Sequence, residues 1–155
     1  MTKPTPEVKL DDLYQEVILD HNKRPRNFGK LDDATVYSHG VNPLCGDDYH
    51  LYLKIDENGV IKGVGFEGQG CAISKSSASI MTTVIEGKNV QKAEELKNVF
   101  LQMLTQDKIS PEKKSELGRL KIFEGVKHFP VRVKCATLAW QALADALKDQ
   151  RKKEV

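Results

Sequence analysis

Residues 48–66 read DYHLYLKIDENGVIKGVGF, and this stretch decides the fold. Apolar and polar residues alternate from Asp48 to Ile55, Asn58-Gly59 is a strong hairpin signal, and the alternation resumes from Val60 to Phe66. A further short strand is predicted from Ala34 to His39. Together these segments predict an antiparallel sheet of about three strands, with helices packed mainly on one face.

Helical periodicity flanks the predicted sheet on both sides. The four predicted helices are Leu10–Asn22, Ala72–Glu86, Val90–Leu104 and Pro130–Lys152. Ser110-Pro111-Glu112 carries the cap signals of a further short, charged helix. The apolar stripe of the last helix begins at Val131 and includes Cys135. Strands followed by helices indicate an α+β layer fold.

Three segments are expected to lie outside the packed core. These are a loose tail at residues 1–7, a surface excursion at residues 118–129 and a charged, frayed end at residues 148–155. The length of 155 residues is close to the commonest domain size, and the chain shows no internal repeat. A single domain spanning residues 1–155 is therefore expected.

Composition and charge exclude several functional classes. Lys and Arg number 24 against 22 Asp and Glu, and a net charge of +2 does not suggest nucleic-acid binding. No apolar run approaches the ~20 residues of a membrane span. The first residues lack the apolar core of a signal peptide, so a cytoplasmic location is expected. The three cysteines form no Cys-x-x-Cys pair, which favours metal ligation or reactive thiols over disulfides.

All three cysteines fall at joints between predicted elements. Cys45 lies in the turn Asn42-Pro43-Leu44-Cys45-Gly46-Asp47, two residues before Asp47. Cys71 follows Gly68-Gln69-Gly70 at a strand-to-helix junction, where backbone N–H groups stabilise a thiolate. Cys135 lies in the first turns of the last helix, after two cationic residues that favour the same ionised form.

Each of these residues also has a purely structural interpretation. Cys45 and Asp47 are consistent with a buried loop cysteine beside a turn-capping aspartate. Cys135 is consistent with a small apolar residue in a helical stripe. Taken together, however, Cys45, Asp47, Cys71 and Cys135 supply three thiolates and one carboxylate, which make a complete tetrahedral shell for Zn²⁺. An Asp ligand leaves such a shell more open to exchange than four thiolates would.

The four histidines are each interpreted as satisfied or solvent-facing side chains. They are His21 near a helix end, His39 at a strand end, His50 within a strand and His128 before the last helix. Only His128 is kept as a reserve metal ligand. The spacing of the glycines from Gly63 to Gly70 lacks the motif of a phosphate loop.

At its three cysteine motifs the chain resembles the U-type (IscU/NifU-like) iron–sulfur cluster assembly proteins. The motifs are Asn42–Asp47, then Gly68–Ser79, then Val133–Trp140, and they occur in the family's order. The resemblance covers nearly the whole chain. It implies an α+β fold, a zinc ion on Cys45, Asp47, Cys71 and Cys135, and sulfur relay from a pyridoxal-phosphate cysteine desulfurase.

Two differences place the resemblance in the SufU branch rather than with the IscU scaffolds. Lys134 stands where the scaffold branch has a histidine before the third cysteine. Residues Phe129–Lys134 replace its Leu-Pro-Pro-Val-Lys chaperone motif. Residues 110–129 are also similar to the SufU insertion. These differences argue against chaperone recruitment and against a histidine-assisted cluster site.

The resemblance implies a function as a sulfurtransferase, in which Cys45 accepts persulfide sulfur, rather than as an enzyme acting on small molecules. Cys45 is chosen because its loop is the most movable of the three cysteine settings, and Arg132 and Lys134 are predicted to steer the partner or stabilise the persulfide. The expected partners are a SufS-like desulfurase and downstream assembly proteins. Two alternatives stay open: a scaffold for a transient [2Fe–2S] cluster on the same four residues, and a structural zinc module.

Overall fold

Three antiparallel strands form the sheet, in the order β1-β2-β3. The structure is a computed structural model that describes the backbone of residues 6–106 and 108–153, and the side chains of residues 14–106 and 108–152. The strands are β1 Val36–Asn42, β2 Asp47–Ile55 and β3 Ile61–Gln69. The helices are α1 Pro6–Lys23, α2 Ala72–Ile85, α3 Val90–Thr105, α4 Pro111–Ser115, a 3₁₀ helix Gly118–His128 and α5 Pro130–Lys153. The α+β prediction is confirmed.

Two strands extend beyond their predicted C-terminal ends. β1 runs on to Asn42, which pairs with Asp47, so the hairpin remains paired down to its turn. β3 runs on to Gln69, three residues past Phe66, where the predicted strand ends. Gly68 permits this because its φ of +139° suits glycine, and a Cβ there would lie 2.0 Å from the carbonyl oxygen of Asp48.

The core lies between the inner face of the sheet and helices α2, α3 and α5. Trp140 of α5 is fully buried and stacks on Phe100 of α3, with ring centroids 4.8 Å apart. The small residues of α2 allow close packing against α5, and the Ser77 hydroxyl donates a 2.6 Å hydrogen bond to the Ala136 carbonyl of that helix. This packing brings the first turns of α2 and α5 together.

The expected surface excursion at residues 118–129 is wrong. Leu117, Leu120, Phe123 and Val126 are all buried, and they recur every three residues. Three residues per turn is the period of the 3₁₀ helix that this segment forms, so one edge of the helix enters the core.

Three smaller expectations also need correction. Residues 1–5 of the expected tail lie outside the described residues, but α1 already begins at Pro6. The charged end does not fray at Lys148, because α5 continues to Lys153 and Arg151 pairs with Glu94 of α3. Val131 does not belong to the buried stripe of α5, since 58% of its surface is exposed.

Candidate metal and sulfur site

The turn between β1 and β2 holds Cys45 at the end of the sheet. Pro43–Gly46 form this four-residue turn, and the Cys45 N–H donates to the Asn42 carbonyl at 3.2 Å. Gly46 takes a φ of +70°, which glycine adopts without strain. Cys45 is half-buried and Leu44 beside it is 74% exposed. Cys45 therefore lies in a solvent-accessible loop, whereas Cys135, whose thiol it contacts, is buried.

Asp47 is completely buried, and its two carboxylate oxygens have different surroundings. Oδ1 accepts hydrogen bonds from the Cys71 backbone N–H at 2.9 Å and the Ser74 hydroxyl at 3.0 Å. Oδ2 is buried and has no hydrogen-bond partner among the described residues. A buried carboxylate oxygen without a partner is costly. The arrangement therefore leaves one oxygen free to bind a cation.

Gly70 leaves the space that this carboxylate occupies. A Cβ at Gly70 would lie 2.5 Å from Asp47 Oδ1, 2.6 Å from the Ser74 Oγ and 2.7 Å from the Tyr49 hydroxyl. The Tyr49 hydroxyl in turn lies 3.1 Å from the Ser74 Oγ. Burial raises the pKa of Tyr49 to about 12, so the phenol stays neutral beside the carboxylate.

Cys71 is the N-cap residue of α2. Its Sγ accepts the Ser74 N–H at 3.4 Å and lies 3.6 Å from the Ser74 Oγ. The predicted strand-to-helix junction is thus where the structure places it. The contacts with Ser74 hold the thiol at the start of the helix.

Cys135 is buried in α5, with its Sγ 3.1 Å from the Cys45 Sγ. One carboxylate oxygen of Asp47 and the Sγ atoms of Cys45 and Cys135 all lie within 4.8 Å of one another. The Cys71 thiol is not in this set of three. The structure thus brings three of the four predicted ligands together, with the fourth at the edge of the same site.

The two cations before Cys135 do not ionise its thiol as expected. Burial raises the pKa of Cys135 well above its usual range, and the neighbouring Cys45 and Cys71 sulfurs act in the same direction. Desolvation outweighs the cations because Arg132 and Lys134 are both exposed. A bound metal ion would reverse this balance by taking the place of the proton.

Arg132 and Lys134 lie on different sides of the first turns of α5. Arg132 stacks over the Phe129 ring, 4.7 Å from its centroid, and lines a depression with Tyr14 of α1. Lys134 lines a depression on the β1 side with Asn42. The two charges therefore flank the thiols rather than forming one patch.

His128, the expected reserve ligand, lies away from the site, whereas three residues that were not predicted lie within it. His128 is exposed at the end of the 3₁₀ helix and is not among the residues grouped at the site. Ser74, Tyr49 and Gly70 shape the site but were not predicted as site residues. The Gly-x-Gly approach to Cys71 was the one sequence signal that pointed to Gly70.

The fold and site define a class: an α+β domain with three thiols and a carboxylate at the joints of its elements. The family model that describes the NifU-like N-terminal domain matches residues 13–136, and the chain belongs to this family.

Curated relatives and a solved structure agree with this membership. The chain is 42% identical over 134 residues to a protein of Bacillus subtilis (strain 168) named zinc-dependent sulfurtransferase SufU, covering 86% of this chain and 88% of the relative. It is 43% identical over 140 residues to a Streptococcus pyogenes serotype M1 protein named iron-sulfur cluster assembly scaffold protein IscU, covering 90% and 86%. A crystal structure titled as a putative SUF-system scaffold protein from Fervidobacterium islandicum AW-1 matches with a TM-score of 0.79 at 37% identity, covering 85% of this chain and 94% of that one.

Within the described part of the chain, no helix has both the length and the apolar character that crossing a membrane requires.

Proposed function

We propose that this chain is a zinc-dependent sulfurtransferase of iron–sulfur cluster assembly. The observation that carries the proposal is the buried Oδ2 of Asp47, which has no hydrogen-bond partner in the described part of the chain, in a site that also holds the thiols of Cys45 and Cys135. The B. subtilis relative is named for the same activity.

The donor set fits zinc. Three thiolates and one carboxylate make a four-ligand shell of the kind that zinc prefers, and Asp47 Oδ2 is the natural oxygen donor because Oδ1 is already taken. Cys71 is the fourth ligand, and its contact with Ser74 is the one that a bound ion would replace. When bound, zinc keeps the thiols deprotonated at neutral pH, which offsets the effect of burial on Cys135.

Cys45 is the sulfur acceptor in this proposal. Its thiolate attacks the outer sulfur of a persulfide on the partner, the partner's S–S bond breaks, and the partner's cysteine leaves as a thiolate. A persulfide then stands on Cys45, with no net change in oxidation state. Cys45 suits the role because its turn is exposed at Leu44, whereas Cys135 is buried and Cys71 is held at a helix cap.

The partner in this proposal is a pyridoxal-phosphate cysteine desulfurase of the SufS type. Arg132 and Lys134 lie on either side of the thiols, so an acidic partner surface would be drawn to both sides of the site. Leu44 and Phe129 are exposed apolar side chains, 74% and 50% respectively, that such a surface would cover. Free thiols suit a reducing compartment, and we propose the cytoplasm.

A cluster scaffold is the second candidate, because the S. pyogenes relative carries that name at a similar identity. The same four residues would then hold a [2Fe–2S] cluster as cargo. The two functions differ in what the purified protein contains. A colourless protein with about one zinc per chain supports the sulfurtransferase, and a brown protein with iron and sulfide supports the scaffold.

The deciding experiment mixes the purified protein with a cysteine desulfurase, L-cysteine and reductant. We expect the wild-type protein to increase alanine production and, without reductant, to gain one sulfur atom on Cys45 by mass spectrometry. Cys45→Ser should abolish both effects, because a serine oxygen cannot carry a persulfide. Cys71→Ser and Cys135→Ser should lose zinc and activity together.

Two outcomes would contradict this proposal. A sulfur adduct mapped to Cys71 or Cys135 would overturn the assignment of Cys45 as acceptor. A protein that gains no sulfur on any cysteine and leaves the desulfurase unstimulated would be better explained as a scaffold.

A further inference from the structure

The outer face of the sheet carries a second group of metal-binding side chains, away from the thiols. His39 of β1 stands directly opposite His50 of β2, and Asp48 lies two residues before His50 on the same face. Nε2 of His39 lies 2.6 Å from Asp48 Oδ1, and Nε2 of His50 lies 3.8 Å from the same oxygen. One donor atom from each residue lies within 4.8 Å of the other two. Two imidazoles and a carboxylate thus converge on one point.

We propose that His39, Asp48 and His50 form a second metal site for Zn²⁺ or a similar late first-row divalent cation. Imidazole nitrogen favours zinc, nickel and copper, whereas magnesium and calcium prefer shells made of oxygen. Three protein ligands leave a fourth position for water. The site shares no ligand with the thiol site, so it does not depend on the sulfurtransferase function.

The donor atoms need only small movements to surround an ion. Zinc bonds to nitrogen and oxygen of about 2.0–2.2 Å place tetrahedral donors about 3.4 Å apart. The observed separations of 2.6 and 3.8 Å lie on either side of that value. The side chains of His39, Asp48 and His50 are 41%, 46% and 35% exposed, so they have freedom to adjust and an open path for the ion. The imidazole rings lie parallel, at 6° and 4.2 Å between centroids, and they would rotate apart to admit the ion.

Tyr37 supports the second imidazole from behind. Its hydroxyl oxygen lies 2.6 Å from Nδ1 of His50, and the two rings stack at 5.8 Å. When Nδ1 donates its proton to this oxygen, Nε2 keeps a free lone pair that faces Asp48. Metal-binding histidines are oriented in this way by a partner on their other nitrogen. Glu67, opposite His50 on β3, adds a negative charge to the same face.

An ion at this site would join β1 to β2, the two strands whose connecting turn carries Cys45. Binding would therefore stabilise the hairpin that presents the sulfur acceptor. This stabilisation would depend on the concentration of free zinc.

The test uses the full chain with its thiol site already loaded with zinc, and titrates it with further Zn²⁺ by isothermal calorimetry. We expect one additional zinc per chain. His39→Gln and His50→Gln should each weaken this second binding at least about 10-fold, and Tyr37→Phe should weaken it about 10-fold by freeing Nδ1 of His50. His128→Gln, which changes an exposed histidine outside the group, is the matched control and should bind like wild type.

Far-ultraviolet circular dichroism and retention of the first zinc establish that each variant is folded. The site does not exist if the loaded wild-type protein takes up no further zinc, or if the folded His39 and His50 variants bind it as wild type does. Excess Mg²⁺ should not compete. Competition by Mg²⁺ would show a simple carboxylate surface and overturn the proposal.

Discussion

Substitution of Gly70 by alanine tests whether the space beside Asp47 is part of the site. The backbone φ of Gly70 lies outside the left-handed region, so alanine meets no backbone strain there. Its Cβ, however, would lie only 2.5 to 2.7 Å from Asp47 Oδ1, the Ser74 Oγ and the Tyr49 hydroxyl. These atoms belong to one hydrogen-bonded group, so relieving the clash must displace the carboxylate or its partners.

The magnitude follows from these contacts. Overpacking costs typically about 1–3 kcal/mol, and a weakened hydrogen bond to a buried charge costs about 1.5–3 kcal/mol. Because part of the clash is relieved by the same movement that weakens the bond, we expect the free energy of unfolding to fall by roughly 2–3 kcal/mol. For a chain of this size that lowers the melting temperature by roughly 4–12 °C.

Zinc binding should weaken as well. Groups that orient a metal ligand typically contribute about 10–100-fold in affinity, and Ser74 and the Cys71 N–H orient Asp47. Competition with a chromophoric chelator measures this change, and thermal unfolding of the apo protein measures the change in stability separately.

Gly125→Ala provides the matched control. A Cβ at Gly125 has no neighbour within 4 Å, so this variant should keep the stability and zinc affinity of the wild type. The reasoning is refuted if Gly70→Ala matches Gly125→Ala in both measurements. A loss of stability with unchanged zinc affinity would mean that Gly70 serves packing alone.

Three further predictions concern the rest of the molecule. Phe123→Ala should lower the free energy of unfolding by about 3–5 kcal/mol, because this ring is fully buried. Phe129→Ala changes a half-exposed ring and should leave the free energy of unfolding, measured by chemical denaturation, nearly unchanged. Burial holds the pKa of His21 below its usual value, so the unfolded chain binds the proton first as the pH falls. His21 should therefore contribute full stability above about pH 6.5 and progressively less below it. His21→Gln should flatten this part of the pH–stability curve. Chelation of zinc should lower the melting temperature while leaving the chain folded, since binding at 100 times Kd contributes about 2.7 kcal/mol; an unchanged melting temperature would argue against a shared four-ligand site.

The regular elements of the fold were predictable because their periods are simple. Alternation in Asp48–Ile55 and the Asn58-Gly59 signal predicted the central hairpin. The structure contains it as the antiparallel pair of β2 and β3. The ends of the strands were not predictable, because cross-strand pairing decides them. Asn42 remains in β1 because Asp47 stands opposite, and β3 extends through Gly68 because that glycine admits a neighbouring carbonyl.

The 3₁₀ helix was missed for a different reason. Its buried residues recur every three positions from Leu117 to Val126, a pattern that matches neither the period of two in a strand nor 3.6 in an α-helix. Because long 3₁₀ helices are uncommon, this period was not considered, and the mixture of charged and apolar residues suggested a surface loop. Burial of Phe123 between Tyr14 and Phe100 depends on contacts distant in sequence.

In the candidate site, too, local features were predictable and features that depend on distant contacts were not. Cysteines at joints and a turn aspartate are visible in the sequence, because their residue types and turn signals are local. The roles of Ser74 and Tyr49 are not visible, because the Ser74 hydroxyl reaches Asp47 from α2, and the Tyr49 hydroxyl reaches Ser74 from β2, only after folding. The raised pKa of Cys135 was also beyond the sequence, since the adjacent cations suggested the opposite and only burial decides the sign.

The register of β2 separates two neighbouring carboxylates into different chemical environments. Successive side chains of a strand point to opposite faces, so Asp47 lies completely buried beside thiols while Asp48 lies half-exposed beside imidazoles. Thiol sulfur atoms lie near the first and imidazole nitrogens near the second, and these two kinds of donor suit different metal ions. A shift of the β2 register by one residue would exchange the positions of the two aspartates, and neither the thiol group nor the imidazole group would then keep its carboxylate. The turn at Pro43–Gly46 and the close approach at Gly68 hold the register from either side. These backbone features therefore determine which aspartate meets the cysteines.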